Sequence, residues 1–260
     1  VSSLLKDEKV LAVTGSLGKS TVVSMLGQAI LGIDSSAFVG GNLGLPLATY
    51  MKQVVQKERT RATYIVLELS SYQLERCRNF SCDGAIISFY SANHLDRYKN
   101  LEHYYETKWQ LVKHCKGPVV LNSSSKELQT FAHSKSEKVK WANAQNGPLS
   151  AEDFSRCLVM GEHQRDNLSL VASLLQELKL PFAQIWPQVE RFRGLEHRLE
   201  YVGKYSGLKF VNDSKATAME SVLSAVKSCL ETMTPGSRLW LMLGGKDKNL
   251  PWQQLKPLAE

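Results

Sequence analysis

The sequence lacks any apolar run long enough to cross a membrane, and it lacks an apolar leader segment. A membrane-spanning helix needs about 20 consecutive apolar residues, and no segment of the chain approaches that length. The opening residues, VSSLLKDEKV, contain no apolar core of the kind a signal peptide requires. The chain also begins at Val1 rather than methionine. We therefore expect a fragment or a processed product without a membrane span.

The cysteines are few, and their spacing matches no common metal-binding or disulfide motif. The chain has five cysteines, an odd number, and no two of them have CxxC spacing. This pattern argues against a zinc site and against a disulfide framework. We expect reduced cysteines and a cytoplasmic location. The cysteines are Cys77, Cys82, Cys115, Cys157 and Cys229.

Long basic runs are absent too, although the formal net charge is +7 and the pI about 9.1. Lysine and arginine are spread along the chain, with no run of five or more. A nucleic-acid partner is therefore not expected. Dispersed basic charge is typical of a solvated surface, and a basic site for a small anion fits it equally well.

The composition is 43% hydrophobic and 22% charged, which is typical of one large globular domain or two smaller ones. Up to about residue 180, short β-type segments alternate with helical ones, which predicts an α/β fold with a mostly parallel sheet. The predicted strands are 10–13, 37–39, 64–67, 85–89, 119–121, 139–141 and 158–160. The predicted helices are 21–31, 47–56, 101–114, 126–133 and 167–178, with another that Pro181 opens toward residue 192.

The pattern changes near Gly194. Segments 200–205 and 208–211 flank Ser206-Gly207, which predicts a hairpin. A helix over 219–230 and a strand over 239–243 are predicted to follow. We expect residues 194–260 to be the start of a second, Rossmann-like α/β domain, after a first domain of residues 1–193.

The segment TGSLGKST, residues 14–21, has the Gly-Lys-Ser of a phosphate-binding loop, but Val13 stands where the usual loop has its first glycine. Glycines let backbone amides converge on an anion, and the N-terminus of a helix adds positive charge. Lys19 would reach the β- and γ-phosphates, and the Ser20 hydroxyl would bind Mg²⁺. A glycine-rich turn is the alternative, but a buried-type strand before it and a helix after it favour a phosphate site.

Candidate metal ligands follow the next predicted strands. Glu68 ends the apolar segment 64–67, and His94 and Asp96 follow segment 85–89. The carboxyl ends of parallel strands form the ligand-binding edge of an open α/β sheet. We therefore expect these side chains at the same edge as the phosphate loop.

Six motifs occur in the order VTGSLGKST, GGNLGLP, LELSSYQLE, HLDRY, FRGLEHRLE and NDSKAT. Together they resemble the Mur ligases, whose phosphate loop has the shortened form TG-x-x-GK-[ST]-[ST]. ELSS-[FY]-QL and NDSKAT point to the branch that adds D-glutamate. The resemblance implies a P-loop NTPase-like central domain and part of the C-terminal domain, without the family's N-terminal uridine-nucleotide domain.

The resemblance also implies a reaction. ATP would phosphorylate the carboxylate of UDP-N-acetylmuramoyl-L-alanine, and the D-glutamate amine would attack the acyl phosphate to form an amide. Two Mg²⁺ ions are implied, with Ser20 and Glu68 as ligands of one and His94 of the other. Lys108, in YYETKWQL, matches the family's carbamylated lysine, which helps to hold metal. We expect a monomer.

The remaining site residues are carried over motif by motif. The catalytic set is Lys19, Glu68, His94 and Lys108. The ATP-binding set is Gly15, Ser16, Gly18, Lys19, Ser20 and Thr21 in the loop, with Asn167, Arg198 and Asp213. The substrate-binding set is Asn42, Ser70 and Gln73 for the muramoyl-alanine end, and Lys215, Thr217 and Lys248 for D-glutamate.

Two alternatives stay open. One is another amino-acid ligase of the superfamily, such as one that adds a diamino acid or extends folate with glutamate. The other is a non-catalytic nucleotide-binding relative. It is motivated by the departures from the family pattern at Asn93 and Gln164; Ala218 and Ser123-Ser124 are further departures.

Overall fold

The structure is a computed structural model that describes residues 4–42, 44–77, 79–91, 97–159, 161–216, 219–245, 253 and 255–256. The chain forms two compact units. The first contains Val1–Cys157 and Asp166–Phe192, and the second contains Leu158–Arg165 and Arg193–Glu260.

A six-stranded sheet is the centre of the first unit. Its order is β2-β3-β1-β4-β5-β6, and every neighbouring pair is parallel. This confirms the predicted α/β class. The strands are β1 (Lys9–Thr14), β2 (Phe38–Gly41), β3 (Tyr64–Glu68), β4 (Gly84–Ile87), β5 (Val119–Asn122) and β6 (Lys140–Ala142).

Helices α1 to α5 lie between these strands in the sequence, and α6 to α8 follow the last of them. Within the described residues, no helix combines the length and the apolar character needed to cross a lipid bilayer. The helices are α1 (Lys19–Leu31), α2 (Leu47–Val55), α3 (Ser71–Leu74), α4 (Leu101–Lys113), α5 (Lys126–Ala132), α6 (Ala151–Arg156), α7 (Glu162–Glu177) and α8 (Phe182–Glu190).

The central strand β1 explains why the site forms where it does. Leu11, Ala12 and Val13 are fully buried, because helices cover both faces of a parallel sheet. The chain passes from β1 to β2 at one edge of the sheet and returns to β3, which pairs with one side of β1. Strand β4 pairs with the other side of β1. The strand order therefore reverses at the carboxyl end of β1, where open α/β sheets bind ligands.

The second unit contains the predicted hairpin. Strands β7 (Glu200–Tyr205) and β8 (Leu208–Asn212) are antiparallel, and helix α9 (Met219–Leu230) follows. The connecting Ser206 and Gly207 both have positive φ, 49° and 83°, which suits a tight two-residue hairpin turn.

Two predicted strands are wrong. Residues 239–243 have no regular structure, and their side chains are exposed. Residues 158–159 are irregular and half-buried, and Met160 lies outside the described residues. Neither segment pairs with a strand in the part of the chain that the structure describes. An apolar run becomes a strand only when a neighbour takes its backbone hydrogen bonds.

Two short helices were not predicted. In each, an N-terminal serine and the third helical residue form a capping box, which satisfies free backbone N–H groups at the helix start. Ser70 and Gln73 cap α3, and Ser150 and Asp153 cap α6.

Candidate functional site

The loop between β1 and α1 presses closely against the end of β4. Gly15 has φ 153°, and a Cβ placed on it would lie 2.2 Å from Ser88 Oγ and 3.0 Å from Phe89 N. Gly18 has φ 78° and directly precedes α1. Only glycine accommodates this approach and these backbone angles.

Hydrogen bonds from the segment after β4 fix the loop. Ser16 N donates to Phe89 O at 2.6 Å, and Ser16 Oγ donates to Ser91 O at 3.0 Å. Ser88 Oγ approaches both Thr14 O, at 3.2 Å, and Leu17 O, at 2.5 Å. Ser88 is a site residue that the sequence analysis missed, and its only signal was a small polar residue directly after a buried strand.

The N-terminus of α1 is suited to an anion. Gly18 offers no side chain to cap it, and its first turn contains no acidic residue. Lys19 is the first helical residue, and its Nζ donates to Ser16 O at 3.2 Å. Ser20 and Thr21 follow it, both half-buried. The backbone amides at the helix start, the helix dipole and a lysine thus converge as a phosphate site requires.

Glu68 is a buried carboxylate at the end of β3, 2% exposed. Its Oε1 accepts a hydrogen bond from Asn42 Nδ2 at 2.8 Å. Its Oε2 is buried and has no hydrogen-bond partner among the described residues. A buried carboxylate oxygen is costly unless a donor or a cation satisfies it. The unsatisfied oxygen fits a role as a metal ligand.

Lys108 lies on α4 and is 1% exposed. Its Nζ donates to Gly15 O at 2.7 Å and lies 4.7 Å from the centre of the Tyr104 ring. Burial, and then the positive charge of Lys19, lower the pKa of Lys108 to about 7, while Glu68 acts in the opposite direction. The structure thus brings the predicted catalytic residues Lys19, Glu68 and Lys108 into electrostatic contact.

Tyr104 is a second residue that the sequence analysis missed. The Tyr104 ring lies beside Lys108 Nζ, and the Tyr104 hydroxyl is hydrogen-bonded to Ser16 of the phosphate loop. The side chain is 1% exposed. Its position one helical turn before Lys108 was the available signal, because residues four apart share one face of a helix.

The predicted substrate residues Ser70 and Gln73 hold each other in the capping box of α3. Ser70 N donates to Gln73 Oε1 at 2.9 Å, and Gln73 N donates to Ser70 Oγ at 3.3 Å. Gln73 also lines an open depression of about 600 Å³. The depression is lined by Tyr72, Gln73, Arg76, Cys77 and Arg97. Its two arginines give it a basic lining.

Asn167 lies on α7 beside the phosphate loop. It is 7% exposed, and its Oδ1 lies 3.1 Å from the position that a Cβ on Gly18 would occupy. This proximity is compatible with the predicted contact to the nucleotide.

Three further predicted residues lie in the second unit. Asp213 Oδ1 accepts a hydrogen bond from Leu199 N at 3.0 Å, and Lys215 N donates to His197 O at 3.1 Å. Burial raises the pKa of Asp213, opposed by the Leu199 N–H and the charge of Arg198. Asp213 and Lys215 are therefore both hydrogen-bonded to the segment 197–199, which contains Arg198.

His94, Asp96, Thr217 and Lys248 lie outside the described residues, as do the departures Asn93 and Ala218. Within the described ranges, no cluster of three or more histidine, cysteine, aspartate or glutamate side chains could hold a metal ion. The predicted second metal site therefore stays a prediction.

Residues 13–175 match the sequence model of the Mur ligase middle domain. The chain is also 33% identical over 257 residues to the UDP-N-acetylmuramoylalanine--D-glutamate ligase of Lawsonia intracellularis. That match covers 98% of this chain and 54% of the relative. The chain thus spans about half the length of the curated relatives it matches.

Solved structures share the fold at low sequence identity. A UDP-N-acetylmuramoylalanyl-D-glutamyl-2,6-diaminopimelate--D-alanyl-D-alanyl ligase from Acinetobacter baumannii matches with a TM-score of 0.65 and 18% identity, over 87% of this chain and 55% of its own. MurF ligase from Thermotoga maritima, solved in complex with ADP, matches with a TM-score of 0.62 and 16% identity, over 86% and 57%.

Proposed function

Because the chain belongs to the Mur ligase family, we propose that it is the ATP-binding part of a ligase that joins D-glutamate to UDP-N-acetylmuramoyl-L-alanine in peptidoglycan precursor synthesis. The name of the Lawsonia relative supports this substrate pair. Residues 1–193 would be the central domain, and residues 194–260 part of the C-terminal domain. The reaction would take place in the cytoplasm, where ATP is available.

One observation supports the proposal: buried Lys108 contacts the glycine-rich loop at Gly15 and interacts electrostatically with both Lys19 and buried Glu68. Lys19 and the first amides of α1 would bind the β- and γ-phosphates and offset their negative charge. Bound ATP would supply the phosphoryl group that converts the substrate carboxylate into an acyl phosphate. Because the loop is fixed by Ser88 and Phe89, catalysis would depend on alignment and charge neutralisation.

Magnesium fits the side chains at this edge of the sheet. Glu68 Oε2 is buried without a partner among the described residues, and the Ser20 hydroxyl lies in the first turn of α1. Carboxylate and hydroxyl oxygens are the ligands Mg²⁺ prefers. We propose Ser20 and Glu68 for one ion, and His94 with Lys108 for a second. The ions would neutralise charge on the transferring phosphoryl group.

Lys108 fits a carbamylated ligand. Only a neutral amine reacts with CO₂, and a pKa of about 7 leaves a large neutral fraction at physiological pH. Carbamylation would replace the buried cation with a carboxylate-like group. Adjacent Lys19 would then attract this group instead of repelling it.

The other predicted residues complete the proposal. Asn167 would bind adenine beside the loop, and Arg198 and Asp213 would contact ATP. Asn42, Ser70 and Gln73 would position the muramoyl-alanine end, while Lys215, Thr217 and Lys248 would place D-glutamate. The monomeric state stays a prediction.

The decisive experiment measures phosphate release by the complete reading frame with ATP, Mg²⁺ and UDP-N-acetylmuramoyl-L-alanine. The amino-acid panel contains D-glutamate, L-glutamate, L-lysine and diaminopimelate. We expect release only with D-glutamate. Release with another member would keep the ligase and overturn the substrate. No release from a folded protein that binds ATP would favour the non-catalytic alternative.

Two variants test the site itself. Lys19→Ala and Glu68→Gln should each lower turnover by about 100-fold or more, because each side chain handles charge in the transition state. The exposed residues Lys209 and Glu58 offer the matched controls Lys209→Ala and Glu58→Gln, which should leave turnover unchanged. Normal turnover in either site variant would show that its assigned role is wrong.

A further inference from the structure

Two cysteines that are far apart in the sequence are direct neighbours. Cys82 precedes β4, Cys115 follows α4, and the two form an isolated parallel β-bridge. Cys82 N donates to His114 O at 3.2 Å, and Lys116 N donates to Cys82 O at 2.9 Å. Paired strands lie about 4.8 Å apart, and disulfides span Cα separations of roughly 4.4–6.8 Å. The backbone is therefore already spaced for a disulfide.

The two thiols also differ in access. They are hydrogen-bonded to each other, Cys82 is 1% exposed and Cys115 is half-buried. Their mutual hydrogen bond lowers the pKa of Cys115 and raises that of Cys82. Cys115 is therefore both the more accessible sulfur and the one that ionises first, as an attacking thiol must.

We propose that Cys82 and Cys115 are a redox modification site, which forms a reversible intramolecular disulfide when the chain meets a small disulfide oxidant. The bond would join the two ends of residues 83–114. That segment contains Ser88 and Lys108, which contact the phosphate loop. This disulfide would form whether or not the chain is part of a ligase.

The chemistry is two successive thiol–disulfide exchanges. The Cys115 thiolate attacks one sulfur of the oxidant R–S–S–R, which forms a mixed disulfide and releases R–S⁻. The Cys82 thiol loses its proton to solvent, and its sulfur attacks the Cys115 sulfur and releases the second R–S⁻. Two electrons pass from the cysteine pair to the oxidant. Because the backbones of the two cysteines are already paired, the second step needs no large movement.

The other cysteines are internal controls. Burial raises the pKa values of Cys77, Cys157 and Cys229, that of Cys157 to about 12. Their thiols are therefore poor attacking groups at neutral pH. The same oxidant should modify them more slowly than it modifies Cys115.

The test exposes the 260-residue chain to oxidised glutathione at pH 7.5, alkylates the remaining thiols in denaturant and maps tryptic peptides by mass. We expect peptides 79–97 and 114–116 to be joined by a bond that dithiothreitol cleaves. A link between other cysteines would overturn the proposal. So would glutathione remaining on Cys115, or full alkylation of both cysteines.

A second measurement separates the cross-link from general oxidation. Closing this loop should raise the thermal midpoint of the oxidised chain by roughly 5 °C or more over the reduced chain. Cys115→Ala and Cys82→Ala should abolish the shift, whereas Cys157→Ala should retain it. A shift that survives in Cys115→Ala, or is absent from the cross-linked wild type, would contradict the loop-closure effect.

Discussion

Residues 10–13 and residues 239–243 are both short apolar runs followed within two residues by glycine, yet they differ completely in structure. The first forms most of β1, paired with β3 and β4, and its side chains are at most 3% exposed. The second has no regular structure, and Met242 is 86% exposed. The difference shows that an apolar run is only a candidate strand until neighbouring strands accept its hydrogen bonds.

The glycines that follow the two runs differ in the same way. Gly15 is enclosed by Ser88 and Phe89 and helps to form the phosphate loop. Gly244 has no atom within 4 Å of the position where a Cβ would be. Glycine is therefore sterically required at position 15, whereas the surroundings of Gly244 leave room for a side chain.

The largest effect we expect from this comparison is on stability. Leu11→Ala should lower the free energy of unfolding of the first unit by about 2–5 kcal/mol, because Leu11 is fully buried in β1. Leu241→Ala, at a side chain 46% exposed in the second unit, should change the free energy of unfolding of that unit by about 0.5 kcal/mol or less. Urea unfolding followed by circular dichroism measures both. Equal losses would remove the distinction between the two runs.

A smaller effect is expected at the glycines. Gly15→Ala should cost about 1–3 kcal/mol of stability, because its Cβ would overlap Ser88 Oγ. It should also weaken ATP binding by about 10-fold or more, since displacement of the loop breaks the alignment of the amides. Gly244→Ala is the matched control and should leave both values unchanged. Calorimetric titration with ATP that showed equal affinities for the two variants would contradict the enclosed loop.

The third prediction concerns the pH dependence of stability that a buried charge causes. The amine of Lys108 ionises near pH 7 in the folded chain, against 10.5 for an ordinary lysine. Between these values the unfolded state binds more protons, so this residue's contribution to the free energy of unfolding increases with pH. The slope is at most about 1.4 kcal/mol per pH unit. Lys108→Met should remove that slope, and Lys209→Met, at an exposed lysine, should keep it.

Urea unfolding at intervals from pH 7 to pH 9.5 checks this expectation. Above pH 7 the penalty for burying the Lys108 cation declines, and below pH 7 it is present in full. A slope in Lys108→Met equal to that of the wild type would show that Lys108 does not carry the effect.

Much of the first unit was predictable from local sequence. The strand and helix pattern, the phosphate loop and the strand-end position of Glu68 follow from the lengths of apolar runs and from glycine spacing. The short helices α3 and α6 were not predicted, because elements of four and six residues show too little periodicity to detect. Each of them begins at a capping box. The prediction of a strand over 239–243 was wrong, because a strand needs a pairing partner and the local sequence does not show whether one is present.

By itself, the sequence determined the succession of strands and helices along the first unit and the phosphate loop that follows β1, because both depend on residues close together in the chain. Only the tertiary structure brought Ser88 and Tyr104 to the loop, buried Lys108 beside Lys19, and placed Cys82 against Cys115. Each of these features is a contact between segments distant in the sequence. Burial and charge at such contacts arise when the sheet assembles, so no local pattern encodes them.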